Sequence, residues 1–374
     1  MTDVIEDCLG EVRRAVPGLD TDPAVNCSWV SGSLTANLGT PTSDIDITVI
    51  VNPGIERGAG DSEVRSGQYL VQKRRVDVEV RSLTWLEELK SAVRAYSVTA
   101  ADSSQLFTDE SILKAVAQLR SGIRIINDSA SFSATRAALA GNEIEFRRLL
   151  ISRSAMYANN TQEDLVGFIL DGDHDSALIR GRDLLMFGLD AWATVRGELY
   201  PGGKWIWRRL QRVVTDSGTL RVIRELVLPG PRTSPLPYLY RLNTVNQTLL
   251  AQALLLSWST DPRRVVEPVL PDLSACGLWR GPYWTPNRLA DHWYLTDRRE
   301  GLSVPFTAVL CWALAGGLAR AELVAEVVGR SADWFDTRVS AATIESLIDE
   351  LVKRGALAEG SLDSLADAHH VRIG

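Results

Sequence analysis

Histidine is scarce in this sequence, with only His174, His292, His369 and His370 among 374 residues, and cysteine is equally scarce, with Cys8, Cys27, Cys276 and Cys311. Neither type clusters at metal-ligand spacing, which argues against a zinc site or a histidine-based catalytic centre. Scattered cysteines with no preceding signal peptide predict a reducing, cytoplasmic setting. Positive charge is in deficit too: 40 Lys+Arg stand against 47 Asp+Glu, a formal charge of −7, which argues against a broad electrostatic hold on nucleic acid. Long apolar runs are missing. The most apolar stretch, Val304 to Ala319, is short for a bilayer and closes on Gly316-Gly317, so it predicts a buried core helix and no membrane partner. What the chain does have is length and 45% hydrophobic residues, enough for two or three domains with real cores.

Against that background one stretch calls for chemistry. From Gly32-Ser33 through Gly39 to Ser43-Asp44-Ile45-Asp46-Ile47-Thr48-Val49-Ile50-Val51, a small-residue turn leads into a strand that carries two carboxylates. Side chains alternate along a strand, so Asp44 and Asp46 share one face while Ile45, Ile47, Val49 and Val51 take the other. Two ionised acids on a short, otherwise apolar strand repel each other unless a cation lies between them. Hard oxygen ligands at this spacing suit Mg²⁺ shared with substrate phosphates. A second strand, Arg75-Val76-Asp77-Val78-Glu79-Val80, alternates in the same way and puts Asp77 and Glu79 on one face. Acids alternating on a strand are also what a solvated outer face looks like. If the two strands are neighbours, however, Asp77 or Glu79 completes a three-carboxylate cluster able to hold one or two metal ions and to accept a proton.

Gly32, Ser33, Gly39, Ser43, Asp44 and Asp46, followed by the acid strand at 76–80, resemble the signature of the polymerase-β-type nucleotidyltransferase superfamily. The pattern is especially similar to that of the minimal nucleotidyltransferases and the aminoglycoside adenylyltransferases. That resemblance implies an α+β fold: a mixed sheet with flanking helices over residues 1–127. It further implies that Gly32, Ser33 and Ser43 contact the triphosphate of an NTP, with ATP the commonest donor among relatives. Asp44 and Asp46 would bind Mg²⁺, two ions in all. Asp77 holds the usual position of the third ligand or general base, and Glu79 stays a second candidate because aminoglycoside adenylyltransferases often use Glu there.

The rest of the chain reads as two further segments. An opening helix repeats Ile5, Leu9, Val12 and Val16 before Pro17-Gly18, the Gly- and charge-rich stretch 53–67 reads as a loop, and Thr84 to Ala95 reads as an amphipathic helix. Over 128–260 helical periodicity takes over, at Arg136 to Tyr157, Gln162 to Leu170, Ser176 to Tyr200, Lys204 to Val214 and Leu242 to Trp258, with Pro201-Gly202-Gly203 and Pro229-Gly230-Pro231 between. This predicts a helical bundle that completes the nucleotide and acceptor cleft. At the start of one of its helices, Lys204-Trp205-Ile206-Trp207-Arg208-Arg209 offers cations for phosphate and indoles for a base, though a solvated cationic face fits the same residues. The helical domains of aminoglycoside adenylyltransferases place a lysine similarly, which favours Lys204 as a nucleotide ligand. Residues 261–374, in their order of helix, Ala321–Val328, Thr343–Lys353 and then Arg354-Gly355-Ala356-Leu357-Ala358, resemble a winged helix of the peptide-binding kind. The helix at 344–351 is acidic, so a peptide or protein partner is expected there in preference to DNA.

The function these readings imply is Mg²⁺-dependent transfer of NMP, with AMP the expected group, to a nucleophile on a small molecule of antibiotic or natural-product type, releasing pyrophosphate. The alternatives are transfer to a protein or peptide acceptor, and a non-catalytic nucleotide-binding scaffold.

Overall fold

The computed structural model describes residues 2–16, 18–52, 66–71, 73–92, 95–200, 202–228, 235–259, 270–290, 292–297, 301–334 and 339–365. Residues 53–65 of the expected loop, Pro17, Pro201, Pro229-Gly230-Pro231, His369 and His370 lie outside the described residues. The chain divides into two compact units. One comprises Met1–Tyr96, Phe107–Phe146 and Glu198–Arg208, and the other Ser97–Leu106, Arg147–Gly197 and Arg209–Gly374.

The first unit is a mixed sheet with helices. In chain order it contains α1 (Thr2–Ala15), β1 (Val25–Ser31), β2 (Ile45–Val51), β3 (Gly67–Val71), β4 (Arg74–Ser82), α2 (Leu83–Ala92), α3 (Glu110–Ser121), β5 (Arg124–Asn127) and α4 (Ala130–Gly141). The strands lie in the order β3-β4-β2-β1-β5, with β2 and β4 parallel and every other pair antiparallel. One face carries the expected apolar set: Ile45, Ile47, Val49 and Val51 of β2 and Val76 and Val78 of β4 form a core with Ile5, Leu9 and Val12 of α1 and Val16 just after it. Burying such side chains contributes roughly 1.5–3 kcal/mol each, which fixes the strand register, because a one-residue slip would turn this row to the other face. On the opposite face Trp29 of β1 stacks on Phe132 of α4 at 4.4 Å and lies 6.5 Å from Trp85 of α2. Sequence periodicity pointed to neither α3 nor β5.

The second unit is built on α5 (Glu143–Leu170, whose first turn belongs to the first unit), α6 (His174–Val195), α7 (Ile206–Val213, whose residues 206–208 also belong to the first unit), α8 (Ser217–Val227) and α9 (Pro235–Trp258). The helix expected over Arg136 to Tyr157 is in fact two, because Asn142 leaves helical geometry at φ −111°, ψ 33° and caps α4. Beyond it, the two helices expected at 136–157 and 162–170 run together as α5. These helices meet through buried polar groups as well as apolar ones. Arg209, fully buried, pairs with Asp190, and Gln162 joins Asn243 to Thr285.

After α9 come β6 (Cys276–Arg280), β7 (Thr285–Leu289), β8 (His292–Thr296), β9 (Gly301–Val304), α10 (Phe306–Leu314), β10 (Gly316–Leu318), α11 (Arg320–Trp334), α12 (Ala341–Lys353) and β11 (Leu357–Ser361). β7, β8 and β9 form an antiparallel meander, and β6 is the centre of a second sheet, β10-β6-β11. The core helix expected over Val304 to Ala319 is shorter, ending at Leu314. Gly317 adopts φ +86° and comes so near the Trp279 ring that a Cβ there would sit 2.7 Å from it, so the chain turns into β10. Among the described residues no helix is long and apolar enough to cross a membrane.

Candidate active site

The parallel register of β2 and β4 decides which acids meet. Asp46 lies opposite Asp77, and Thr48 opposite Glu79. Registered side chains on neighbouring strands share a face, so Asp46 and Asp77 are immediate neighbours, whereas Glu79 stands one alternation further along. Glu79 is 55% exposed and pairs with Arg81, an arrangement that takes it away from the other acids. Asp44 lies one step before β2. Extending the register by one residue puts it opposite Arg75, and Arg75 does pair with both Asp44 and Asp77, the second at 3.1 Å.

The turn that precedes β2 is tied down from both sides. Gly32 follows β1 directly at φ +92°, and a Cβ on it would stand 2.0 Å from Asp46 Oδ2. Only glycine allows the loop backbone to approach that carboxylate so closely. The Ser33 carbonyl accepts the N–H groups of Leu38 (2.8 Å) and Gly39 (2.7 Å), and the Ser43 hydroxyl accepts the Thr40 N–H at 2.8 Å. Two guanidinium groups clamp the loop carbonyls: Arg74 donates to Ser43 and Pro41, and Arg208 donates to Leu38 and Gly39 at 2.6 Å each. Ser43 is buried and structural in its bonds. Ser33 is also buried, and its hydroxyl has no hydrogen-bond partner among the described residues.

Lys204 is exposed and belongs to the same unit as the loop. Its ammonium lies 4.9 Å from the Trp205 ring centroid, Arg208 approaches the same ring at 5.4 Å, and Trp205 packs on the small cluster of Ala36, Leu38 and Tyr200. The structure thus brings Lys204 beside the turn.

Charge at the acid cluster is unbalanced. The Asp46 carboxyl is pushed up to about 6, first by burial, then by the Asp44 charge, with Asp77 adding to the rise while Lys114 and Arg75 oppose it. Tyr200 is held above the ordinary phenol range by burial foremost, with the Asp46 and Asp44 charges adding to it. Three contributors, Arg75, Lys114 and Tyr200, are not among the site residues expected from the sequence, whereas Arg208 belongs to the expected cationic helix start and binds the loop carbonyls. Arg75 was readable in principle, since it occupies the same strand face as Asp77. Lys114 and Tyr200 come from distant segments that only the fold brings together.

Among the described residues no three acids, as they stand, are grouped closely enough to hold one metal ion. The reason is visible in Arg75, whose guanidinium stands between Asp44 and Asp77 as the local cation. The residues fit a divalent cation in its place. Asp77 Oδ1 is buried and faces the Arg75 Nε at 3.1 Å, Asp46 is pushed toward its neutral form, and all three groups are hard oxygen donors.

Replacing Gly32 by alanine tests the close approach. Its positive φ and the Asp46 contact together predict a loss of about 1–3 kcal/mol of stability, measurable by urea denaturation, and unaltered stability would show that the loop does not press on Asp46.

No family model matches this chain, and no curated protein does. Among solved structures it is similar to a nucleotidyltransferase-like protein from Exiguobacterium sibiricum 255-15. The match is 16% identical, covers 66% of this chain and 76% of that one, and has a TM-score of 0.40. A likeness of that extent fixes neither a reaction nor a substrate.

Proposed function

We propose that the protein is a divalent-metal-dependent nucleotidyltransferase that moves NMP, with AMP the expected group, from an NTP to an acceptor nucleophile. The observation that carries this reading is the register of β2 and β4, which sets Asp77 beside Asp46 on the face that also bears Asp44, directly under the Gly32 turn. In this reading Asp44, Asp46 and Asp77 hold Mg²⁺, two ions being the expectation. The cation would offset charge on the triphosphate and its leaving oxygens. Gly32 and Ser33 offer backbone N–H groups and a free hydroxyl to phosphate, and Ser43 keeps the turn in shape. Lys204, carried on Trp205, supplies positive charge next to that turn. Asp77 is the better placed of the two candidate bases, since it lies opposite Asp46 while Glu79 stands one alternation further along. Residues 1–127 are the catalytic segment, 128–260 contribute Lys204, and 261–374 form a winged-helix-like partner-binding segment.

A small molecule is the acceptor we favour, with a protein or peptide hydroxyl as the alternative. Incubation with radiolabelled ATP and Mg²⁺, then separation of small molecules from protein, distinguishes the two. Absence of both nucleotide binding and transfer would overturn the enzyme reading, and Mg²⁺-dependent binding without transfer would leave only a scaffold.

Arg75 gives a test independent of the acceptor. It competes with metal for Asp44 and Asp77, so Arg75→Met is expected to tighten Mn²⁺ binding about 2- to 30-fold, the range for releasing two partly exposed ion pairs at roughly 0.2–1 kcal/mol each. A Mn²⁺ titration followed by electron paramagnetic resonance measures it. Equal or weaker affinity in the variant would show that Arg75 does not stand in the metal's place.

A further inference from the structure

The second unit contains a cavity of about 410 Å³ bounded by α9, β6, α10, β10 and α11. Its apolar lining includes Leu270, Pro271, Ala275, Leu314 and Leu318, and Arg280 reaches its wall. Arg280 is the unusual member. It is 4% exposed, yet no carboxylate pairs with it among the described residues. Its two terminal nitrogens donate to the Ala313 carbonyl (2.7 Å) and to the Thr248 hydroxyl, and its Nε is buried with no hydrogen bond at all. Burial pulls the guanidinium down to about 9, so it remains protonated at neutral pH. The Trp312 ring lies 5.7 Å from the guanidinium carbon, so the partners of Arg280 are two neutral oxygens and a ring face; a buried cation so held is costly, and it is ordinarily compensated by an anion.

The rest of the lining narrows what that anion is. Asp272, Glu322, Glu326 and Arg330 also border the cavity, three acids against one further cation. Each acid has a partner of its own: Asp272 accepts from Ser274, Glu322 from the Ala319 N–H at 3.0 Å, and Glu326 pairs with Arg330. These acids would repel a phosphate or a dicarboxylate. They would welcome an ammonium group on a molecule whose carboxylate reaches Arg280. The apolar surface between the two signs of charge then suits a hydrocarbon side chain.

We infer that this cavity binds a free apolar amino acid, with its carboxylate on Arg280, its ammonium toward the acids of Asp272, Glu322 and Glu326, and its side chain against Leu270, Leu314 and Leu318. The site is separate from the acid cluster of the first unit and does not depend on the reading of that cluster.

Calorimetric titration of the full chain with L-leucine and L-phenylalanine is the test, beside two probes that each lack one charge, isocaproate and isoamylamine. At least one amino acid is expected to bind below about 1 mM, and the single-charge probes at least tenfold more weakly. Arg280→Gln should lose tenfold or more in affinity. Because a substitution of a buried arginine can disturb folding, Ala275→Phe provides the second variant. Ala275 is half-buried in the cavity wall, and a phenyl group there fills the space without touching the hydrogen bonds of Arg280. It should abolish binding while leaving circular dichroism unchanged. No binding of either amino acid up to about 10 mM, equal binding of all four probes, or full affinity in Ala275→Phe would each overturn the assignment.

Discussion

Replacing Asp44 and Asp46 together by alanine is expected to lower nucleotidyl transfer by roughly 10³-fold or more while the helical and sheet content stays intact. The two side chains project from the face of β2 opposite the core that Ile45, Ile47 and Val49 form with α1, so their removal leaves that packing untouched. What goes is two of three carboxylates that would fix the metal. Losing a preorganised electrostatic partner in such a site costs several kcal/mol of transition-state stabilisation. Each single substitution should already cost most of this, because the ligands act as one unit and their effects do not add. Glu79→Gln, by contrast, should change turnover little. Its side chain is mostly exposed and held by Arg81, one alternation away from the Asp46–Asp77 pair. Product release from labelled ATP measures all of these. Near-normal turnover in the double variant would end the assignment, and an inactive Glu79→Gln would move the base from Asp77 to Glu79.

The alternation in residues 44–51 and 75–80 made both strands and the shared face of their acids legible in the sequence, because period two is a local property. Which acid of the second strand belongs to the cluster was not legible. That depends on the parallel register of β2 against β4, set by the core on the other face and by 22 residues of intervening chain between Asn52 and Arg75. Arg75 illustrates the same limit. As a sequence feature it is a cation at a strand start, and only the register shows that it sits opposite Asp44. The helical segment was readable in outline, though Asn142 cuts the helix expected over 136–157, and its junction with the next expected helix at residues 157–162 carries no break. In the last segment the strands β6 to β9 escaped notice, since Pro282, Pro286 and isolated aromatic residues look like connections until the meander pairs them. Arg280, too, looks unremarkable between Trp279 and Gly281, and its burial is a consequence of α9 and α10 closing over β6.

Asp46→Asn is expected to stabilise the metal-free protein at about pH 7.5 by up to about 3 kcal/mol, and to have almost no effect at about pH 3.5. The direction follows from the carboxyl being pushed from 3.8 up to about 6 in the folded state. Below the lower value the folded and unfolded chains are both protonated, so asparagine and aspartic acid are nearly equivalent there. Between the two values the unfolded chain has released a proton that the folded chain still holds, and wild-type stability therefore falls as pH rises. Above the higher value the full cost of a charged, half-buried carboxylate beside Asp44 and Asp77 is in place, and the asparagine variant does not bear it. Urea denaturation across this pH range in the presence of a chelator measures the difference, and a pH-independent gap would refute the electrostatic origin. Saturating Mg²⁺ should then reverse or erase the advantage, because a ligand that binds only the folded wild-type site stabilises it by mass action, whereas the variant has lost a donor. A side chain buried merely for packing would respond to neither pH nor Mg²⁺. One that weakens the fold when alone and strengthens it with a cation is placed there for the cation.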